Sequence, residues 1–303
     1  MQSECGSPGW CSRSFFTGGG EVDNAKLASS AREFSFSNSD FERVRKLIYQ
    51  HAGISLSPVK QDMVYSRLAR RLRATGATSF SEYLDALEKS GGEEWERFVN
   101  SLTTNLTSFF REAHHFPILA DHLKKCSTRA SVKIWCSAAS TGEEPYSIAM
   151  TVVEALAGAA SNVTIVASDL DTNVLEAAKK GVYSFDRVAR LSPDRLKRFF
   201  LKGTGSQEGL VSVRPELRRM IDFRRINLLD SSYSVPNGLD VIFCRNVMIY
   251  FDKPTQYKIL KKFHPLMNSD SLLFAGHSES FLHASDLFRS LGKTVYAPAG
   301  KGI

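Results

Sequence analysis

Between Phe36 and about Leu102 the apolar positions recur at helical intervals and are bounded by helix signals. Ser39 or Asp40 is placed to cap a helix running through His51, Ser57-Pro58 opens a second that reaches about Ala74, and Gly76 ends it. Ser79–Leu87 and Glu93–Thr103 add two amphipathic segments on either side of Ser90-Gly91-Gly92, so residues 33–104 read as a small helical domain. Beyond a further helix containing Phe116 to Lys124 the period changes. Short apolar, β-branched runs at Val132–Ser137, Val163–Ser168, Asp240–Cys244 and Ser271–Ala275 alternate with helical stretches at Glu143–Ala157, Asp171–Lys180 and Pro254–Met267. A helix between successive strands is the pattern of a parallel sheet covered on both faces, a doubly wound α/β domain. One stretch breaks the alternation. Leu210–Arg214 and Met220–Arg224, separated by a short polar turn and preceded by Gly203, Gly205 and Gly209, predict a small antiparallel β insertion at about 200–225. Residues 1–32, rich in Gly and Ser and without a sustained apolar period, predict a flexible arm. The expected division is thus arm (1–32), helical domain (33–104), linker (105–125) and α/β domain (126–303), with no internal repeat.

A chain of 303 residues with 43% hydrophobic side chains can bury a sizeable core. It has no apolar run long enough to span a membrane and no basic-then-apolar export signal at its N-terminus, so the cytoplasm is the expected compartment. The five cysteines are scattered without a CxxC pair, and none of the seven histidines belongs to an HExxH motif or to zinc-ligand spacing, so reduced thiols and no metal are expected. The formal charge of +7 favours an acidic partner: a nucleic acid, an anionic membrane surface or an acidic protein.

Candidate chemistry concentrates on the loop Ala139-Ser140-Thr141-Gly142-Glu143-Glu144-Pro145-Tyr146-Ser147, which follows the first predicted strand. In an open parallel sheet a nucleotide-like cofactor sits there, beside the topological switch. Glu143 and Glu144 would repel a phosphate at the helix N-terminus, and neither GxGxxG nor GxxxxGK[ST] is present. S-adenosylmethionine has the opposite needs: a sulfonium, an ammonium, a ribose diol and no phosphate. Asp169, at the tip of the next strand in Ala167-Ser168-Asp169-Leu170-Asp171, is placed to accept hydrogen bonds from both ribose hydroxyls. The same acids also suit plainer duties, Glu143 and Glu144 at a helix N-terminus and Asp169 or Asp171 as a cap. Phosphate-free loop, strand-end acid and βαβ frame together point to a class I methyltransferase fold.

Five strings sharpen that reading: Asn105-Leu106-Thr107-Ser108-Phe109-Phe110-Arg111-Glu112, the Ala139–Ser147 loop, Ala167–Asp171, Phe243-Cys244-Arg245-Asn246-Val247-Met248-Ile249-Tyr250-Phe251-Asp252 and Phe274-Ala275-Gly276-His277-Ser278-Glu279. In order and spacing, from about Phe36 to Pro298, the chain resembles the CheR family, the chemotaxis receptor glutamate O-methyltransferases. The resemblance implies transfer of a methyl group from S-adenosylmethionine to glutamates on the helical signalling domain of chemoreceptors. It implies that Asn105, Thr107 and Arg111 reach the cofactor from the linker, with Glu144, Asp169, Asn227, Leu228, Arg245 and Asn246 completing the pocket, Glu144 at the cationic end and Asn227-Leu228 beside adenine. A glutamate carboxylate is ionised and nucleophilic at neutral pH, so no general base is needed. The absence of a Ser-His-Asp or Cys-His constellation agrees with that, and Arg111 or Arg245 is placed to orient the carboxylate. Arg111 and Glu112 also suit a solvated helix start. Tyr250 is expected to border the transferred methyl or to be a core aromatic.

On the predicted second helix Arg67, Arg70 and Arg71 share one face beside the stripe Val64, Leu68 and Leu72. As a docking face for the glutamate-bearing helices of a receptor, these three are the expected substrate-binding residues; as a solvated face they would bind nothing. The resemblance further implies that the β insertion can tether a receptor's C-terminal peptide, in keeping with Arg187, Arg190, Arg195, Lys197, Arg198, Arg214, Arg218 and Arg219 nearby in sequence. Two rivals remain: a nucleic-acid methyltransferase, although the tetrapeptide of exocyclic-amine methylation is replaced by Phe243-Cys244-Arg245-Asn246, and a non-catalytic adaptor.

Overall fold

β6 (Ile221–Arg225), β2 (Val163–Asp169), β1 (Val132–Cys136), β7 (Leu239–Cys244), β8 (Met267–Ala275), β10 (Val295–Pro298) and β9 (Phe288–Gly292) form, in that order, one mixed sheet in the computed structural model, which describes residues 32–90, 92–156 and 162–300. The expected arm therefore lies outside the described residues except for Arg32, and Phe36 onward forms a single unit. β1, β2, β6, β7 and β8 run parallel; β9 and β10 close the far edge antiparallel. Alternation along each central strand sends one set of side chains to each face. Ile134, Ile165, Val241 and Phe274 enter one core, while Trp135, Val166, Ile242 and Leu273 enter the other.

The helical region opens with α1 (Asn38–Ala52), whose cap lies two residues before Ser39 and three before Asp40, the expected caps. Ser37 is the cap: its hydroxyl accepts the Asp40 N–H (3.1 Å), and the Asp40 carboxylate accepts the Ser37 N–H (2.9 Å), so two otherwise unpaired amides are satisfied reciprocally. A 3-10 turn (Pro58–Lys60) leads into α2 (Gln61–Thr75), which Gly76 ends at φ 75°, and α3 (Phe80–Lys89) and α4 (Glu93–Leu102) complete the bundle. α5 (His115–Cys126), α6 (Glu143–Leu156) and α7 (Thr172–Lys180) cover one face of the sheet region, and α8 (Lys253–Phe263) lies in the other core through Ile259, Leu260 and Phe263.

The expected insertion is corrected in its strands. Its sheet is β3 (Val182–Ser184), β5 (Leu210–Val213) and β4 (Phe200–Lys202), antiparallel in the order β3-β5-β4. Met220–Arg224 does not pair with Leu210–Arg214; it is the edge strand β6, parallel to β2 with Ile221 opposite Ile165. The polar segment between them is a helical turn with Pro215 at its first position, which advances the chain to another sheet instead of reversing it.

Candidate active site

The sheet's topological switch lies between β1 and β7, because β1 continues outward to β2 and β7 to β8. At the carboxyl ends of these strands a cavity of about 490 Å³ opens, roofed by Ala52, Lys60 and Met63 of the helical region. All the residues expected around the cofactor or the reaction line this one cavity: Asn105, Thr107, Arg111, Glu144, Asp169, Asn227, Leu228, Arg245, Asn246 and Tyr250.

Each acid of the two loop motifs takes a distinct place. The loop after β1 turns through Ser140 (φ 48°), whose N–H donates to Asp169 Oδ2 (2.8 Å), while the Asp171 N–H donates to Oδ1 (3.0 Å). Burial nevertheless dominates and pushes the Asp169 carboxyl up to about 6. Asp171 is the helix cap, accepting from Asn173 N–H (2.9 Å), and its other oxygen accepts from Asn105 Nδ2 (2.8 Å) and Thr103 Oγ1 (2.9 Å). Asn105 is therefore bound to the α7 cap, which anchors the linker. Glu143 is buried away from the cavity against Arg187 and accepts from the Thr141 hydroxyl (2.6 Å). Gly142, at φ 99° with Tyr183 Oη 2.8 Å from where a Cβ would sit, allows this packing.

Glu144 receives Arg245 Nη1 on Oε2 (2.5 Å) and the Cys136 thiol on Oε1 (3.3 Å). Burial raises its pKa and the Arg245 charge opposes that. Arg245, only 3% exposed, also donates to the Arg111 carbonyl (2.5 Å) and lies 3.3 Å from Glu112 Oε2. It is thus the centre of a buried clasp and not a free cation facing a substrate. Glu112 is equally committed, taking Asn246 Nδ2 (3.2 Å) and His277 Nδ1 (3.0 Å) on Oε1. Its burial would raise its pKa, but the His277 hydrogen bond and the Arg245 charge outweigh that and hold it at about 2. With His114 and His115, Glu112 forms one group of metal-capable donors within 4.8 Å of one another.

Arg111 keeps a different position. Its Nη1 donates to the Leu106 carbonyl (2.8 Å), and it has no acid partner among the described residues. Tyr250 donates to the Thr104 carbonyl (3.3 Å); burial raises its pKa, against the nearby charges of Arg111 and Arg67. Asn227 donates from Nδ2 to the His51 carbonyl (2.9 Å), tying α1 to the cavity wall, and Leu228 is buried beside it.

Two of the three arginines expected to dock substrate are engaged internally. Arg67 donates to the Leu102 (3.0 Å) and Thr103 (2.6 Å) carbonyls, closing the C-terminus of α4. Arg71 forms a two-pronged pair with Glu94 (3.0 and 2.6 Å). Arg70 alone of the three is exposed.

Glu279 is a structural key that the sequence did not single out. It accepts the N–H groups of Asn246 (2.9 Å), Val247 (2.9 Å), Met248 (2.7 Å) and Gly276, and so fixes the turn that carries Asn246 (φ 58°) and Tyr250 to the cavity. Gly276 leaves room for this turn, since a Cβ would stand 2.9 Å from Asn246 N and 2.8 Å from Glu279 Oε2. The spacing of Gly276 and Glu279 was visible, but the four amides belong to two separate segments.

A doubly wound sheet whose switch-point cavity is lined by acids and lacks a phosphate loop defines a methyltransferase of the adenosyl-cofactor type. Residues 105–297 match the CheR methyltransferase, SAM binding domain, and residues 39–103 match the CheR methyltransferase, all-alpha domain. The sequence is 53% identical to the chemotaxis protein methyltransferase of Escherichia coli K12, over 89% of this chain and 94% of that protein. It is also 53% identical to chemotaxis protein methyltransferase 2 of Pseudomonas aeruginosa PAO1, over 88% and 96% respectively. The chain belongs to the CheR family. It is an S-adenosylmethionine-dependent methyltransferase that acts in chemotaxis.

Proposed function

We propose that the protein esterifies glutamate side chains of chemoreceptors at the cytoplasmic side, and that Arg111 receives the carboxylate being methylated. The observation that carries this is a cation at the cofactor cavity, beside Tyr250, with no acid partner among the described residues. The neighbouring cation, Arg245, is already held by Glu144 and Glu112.

The residues present fit the cofactor. Two buried carboxylates against one guanidinium leave the clasp one negative charge, which suits a cationic methionyl end. The Asp169 carboxylate stands at a strand tip for the ribose hydroxyls, and Asn227-Leu228 form an adjoining wall for adenine. When bound, S-adenosylmethionine supplies an electrophilic methyl group. The chain's part is to align and to exclude water: Arg111 fixes the nucleophilic carboxylate, and Tyr250 borders the reacting centre. No proton has to be removed from an ionised carboxylate, so no base is called for.

Arg70, exposed on α2, is the remaining candidate of its face for contact with acidic receptor helices. The outer edges of the β3-β5-β4 sheet offer main-chain hydrogen bonds to an extended receptor tail. The test is incubation with methyl-tritiated cofactor and receptor-containing membranes, followed by alkali. Receptor-dependent label released as volatile methanol is expected; alkali-stable label, or label found only on added RNA, overturns the reading.

A further inference from the structure

The rim of the cavity combines two features that the chemistry just described does not use. Leu106 is 76% exposed and Ile249 50% exposed, although both line the cavity and both sit on well-anchored backbone. The Leu106 carbonyl accepts from Arg111, and the Tyr250 hydroxyl joins the turn bearing Ile249 to the carbonyl of Thr104. One apolar side chain thus belongs to the residue whose carbonyl holds Arg111, the other to the residue before Tyr250, and the four line the same cavity. Their neighbours of the same chemistry, Leu102, Phe109, Met248 and Phe251, are all buried, so this exposure is a property of the rim and not of the segments. Lys60 also lines the cavity and is exposed, next to Val59, which is 85% exposed. Single exposed apolar residues are ordinary, but a bracket of them at the mouth of a catalytic cavity marks a contact surface.

We propose that Leu106 and Ile249 seat apolar side chains of the substrate helix that lie one turn to either side of the glutamate being methylated. The proposal rests on the glutamate-methylation reading and adds what selects among glutamates. A helix laid across the mouth with its glutamate toward Arg111 presents residues three or four positions away on the same face, toward the exposed side chains of the rim. Charge complementarity with Lys60 and Arg111 fixes the occupant as an acidic amphipathic helix. A glutamate flanked on that face by polar residues would meet Arg111 without burying the bracket.

The measurement is methylation kinetics on a soluble fragment of a chemoreceptor's helical signalling domain, for the full-length wild type and for Leu106→Gln and Ile249→Gln. Both sites are exposed, so the variants should fold normally, and circular dichroism with cofactor titration verifies it. Each variant is expected to raise the fragment's KM about five- to tenfold with cofactor Kd held within about twofold. Leu282→Gln, at a 75% exposed apolar residue outside the cavity, should leave KM as it was. Replacing only one of the fragment's two flanking apolar residues by glutamine should cost the same factor in wild type and, for the residue that seats on Leu106, little more in Leu106→Gln, as for groups that touch. An active wild type with unchanged KM in both variants, or a loss that tracks cofactor Kd, overturns the bracket alone. A wild type that leaves the fragment unlabelled overturns the glutamate reading and the bracket with it.

Discussion

Among single residues, Asp169 and Arg245 show how burial sets what a charged group can do. Asp169 is held by two backbone amides yet titrates near 6, because the strand tip is poorly solvated. Below that value it keeps a proton and becomes a weaker acceptor for a diol. Cofactor affinity should therefore fall about fivefold or more from pH 7.5 to pH 5, and calorimetric titration should show that dependence largely gone in Asp169→Asn. Stability moves the opposite way. A carboxyl raised in the folded state contributes stability that is complete below its ordinary value and lost as pH rises through about 6. The cofactor-induced rise in Tm should consequently grow with pH across that window. Arg245 is the reverse case, a buried cation whose removal leaves Glu144 with only the Cys136 thiol as a partner and takes one of three polar partners from Glu112. Arg245→Met is expected to lose about 3 kcal/mol or more in urea denaturation, and Glu144→Gln, which leaves Arg245 its second carboxylate, should lose clearly less. Smaller loss from Arg245→Met than from Glu144→Gln would contradict the clasp.

The elements of the central sheet were legible because both faces are buried, so that Ile134–Cys136 and Val241–Cys244 read as apolar runs between helical stretches. β6 was misassigned for a physical reason. Ile221–Arg225 is an edge strand with polar alternation, and nothing local tells whether such a strand joins the neighbouring hairpin or a sheet assembled from distant segments. The same limit hid the linker's backbone and the part of Glu112. Phe110 (φ 51°) and Glu112 (φ 55°) adopt left-handed backbone that no turn residue announces, and Glu112 acquires its meaning from Asn246 and His277 far along the chain. The strings around the cavity were readable, and so was the placing of Glu144 and Asp169 at it, whereas the packing of Glu143 against Arg187 and the clasp of Glu112 with Arg245 were not. The turn after β7 gives the clearest prediction at this scale. Glu279→Gln replaces an oxygen that faces amide N–H groups with another donor, so the turn carrying Asn246 and Tyr250 should loosen. Tenfold or greater loss of kcat with retained secondary structure is expected, with partial return in Glu279→Asp; equal kcat in wild type and Glu279→Gln would show that the turn holds itself.

Across the whole molecule, the helical region and the α/β region make one cavity, roofed by Ala52, Lys60 and Met63 and floored by strand ends. The basic surplus of +7 is therefore relevant to catalysis only where it faces the substrate. Arg67 and Arg71 show that a basic helix face is not by itself a docking surface: one closes α4 and the other holds Glu94. Reversing Arg67 would damage the bundle and say little about the substrate. Arg70 is exposed, so Arg70→Glu tests the long-range field without touching packing. Attraction between an exposed cation and an acidic helix is screened beyond about 10 Å at 0.1 M salt, so the receptor KM of the wild type should rise with ionic strength. In Arg70→Glu it should start several-fold higher at low salt and rise less steeply, the two curves drawing together near 1 M as both fields are screened. Cofactor Kd, governed by the buried clasp and Asp169, should stay parallel between the two proteins throughout. Identical salt curves for KM would place receptor recognition on another surface of the molecule.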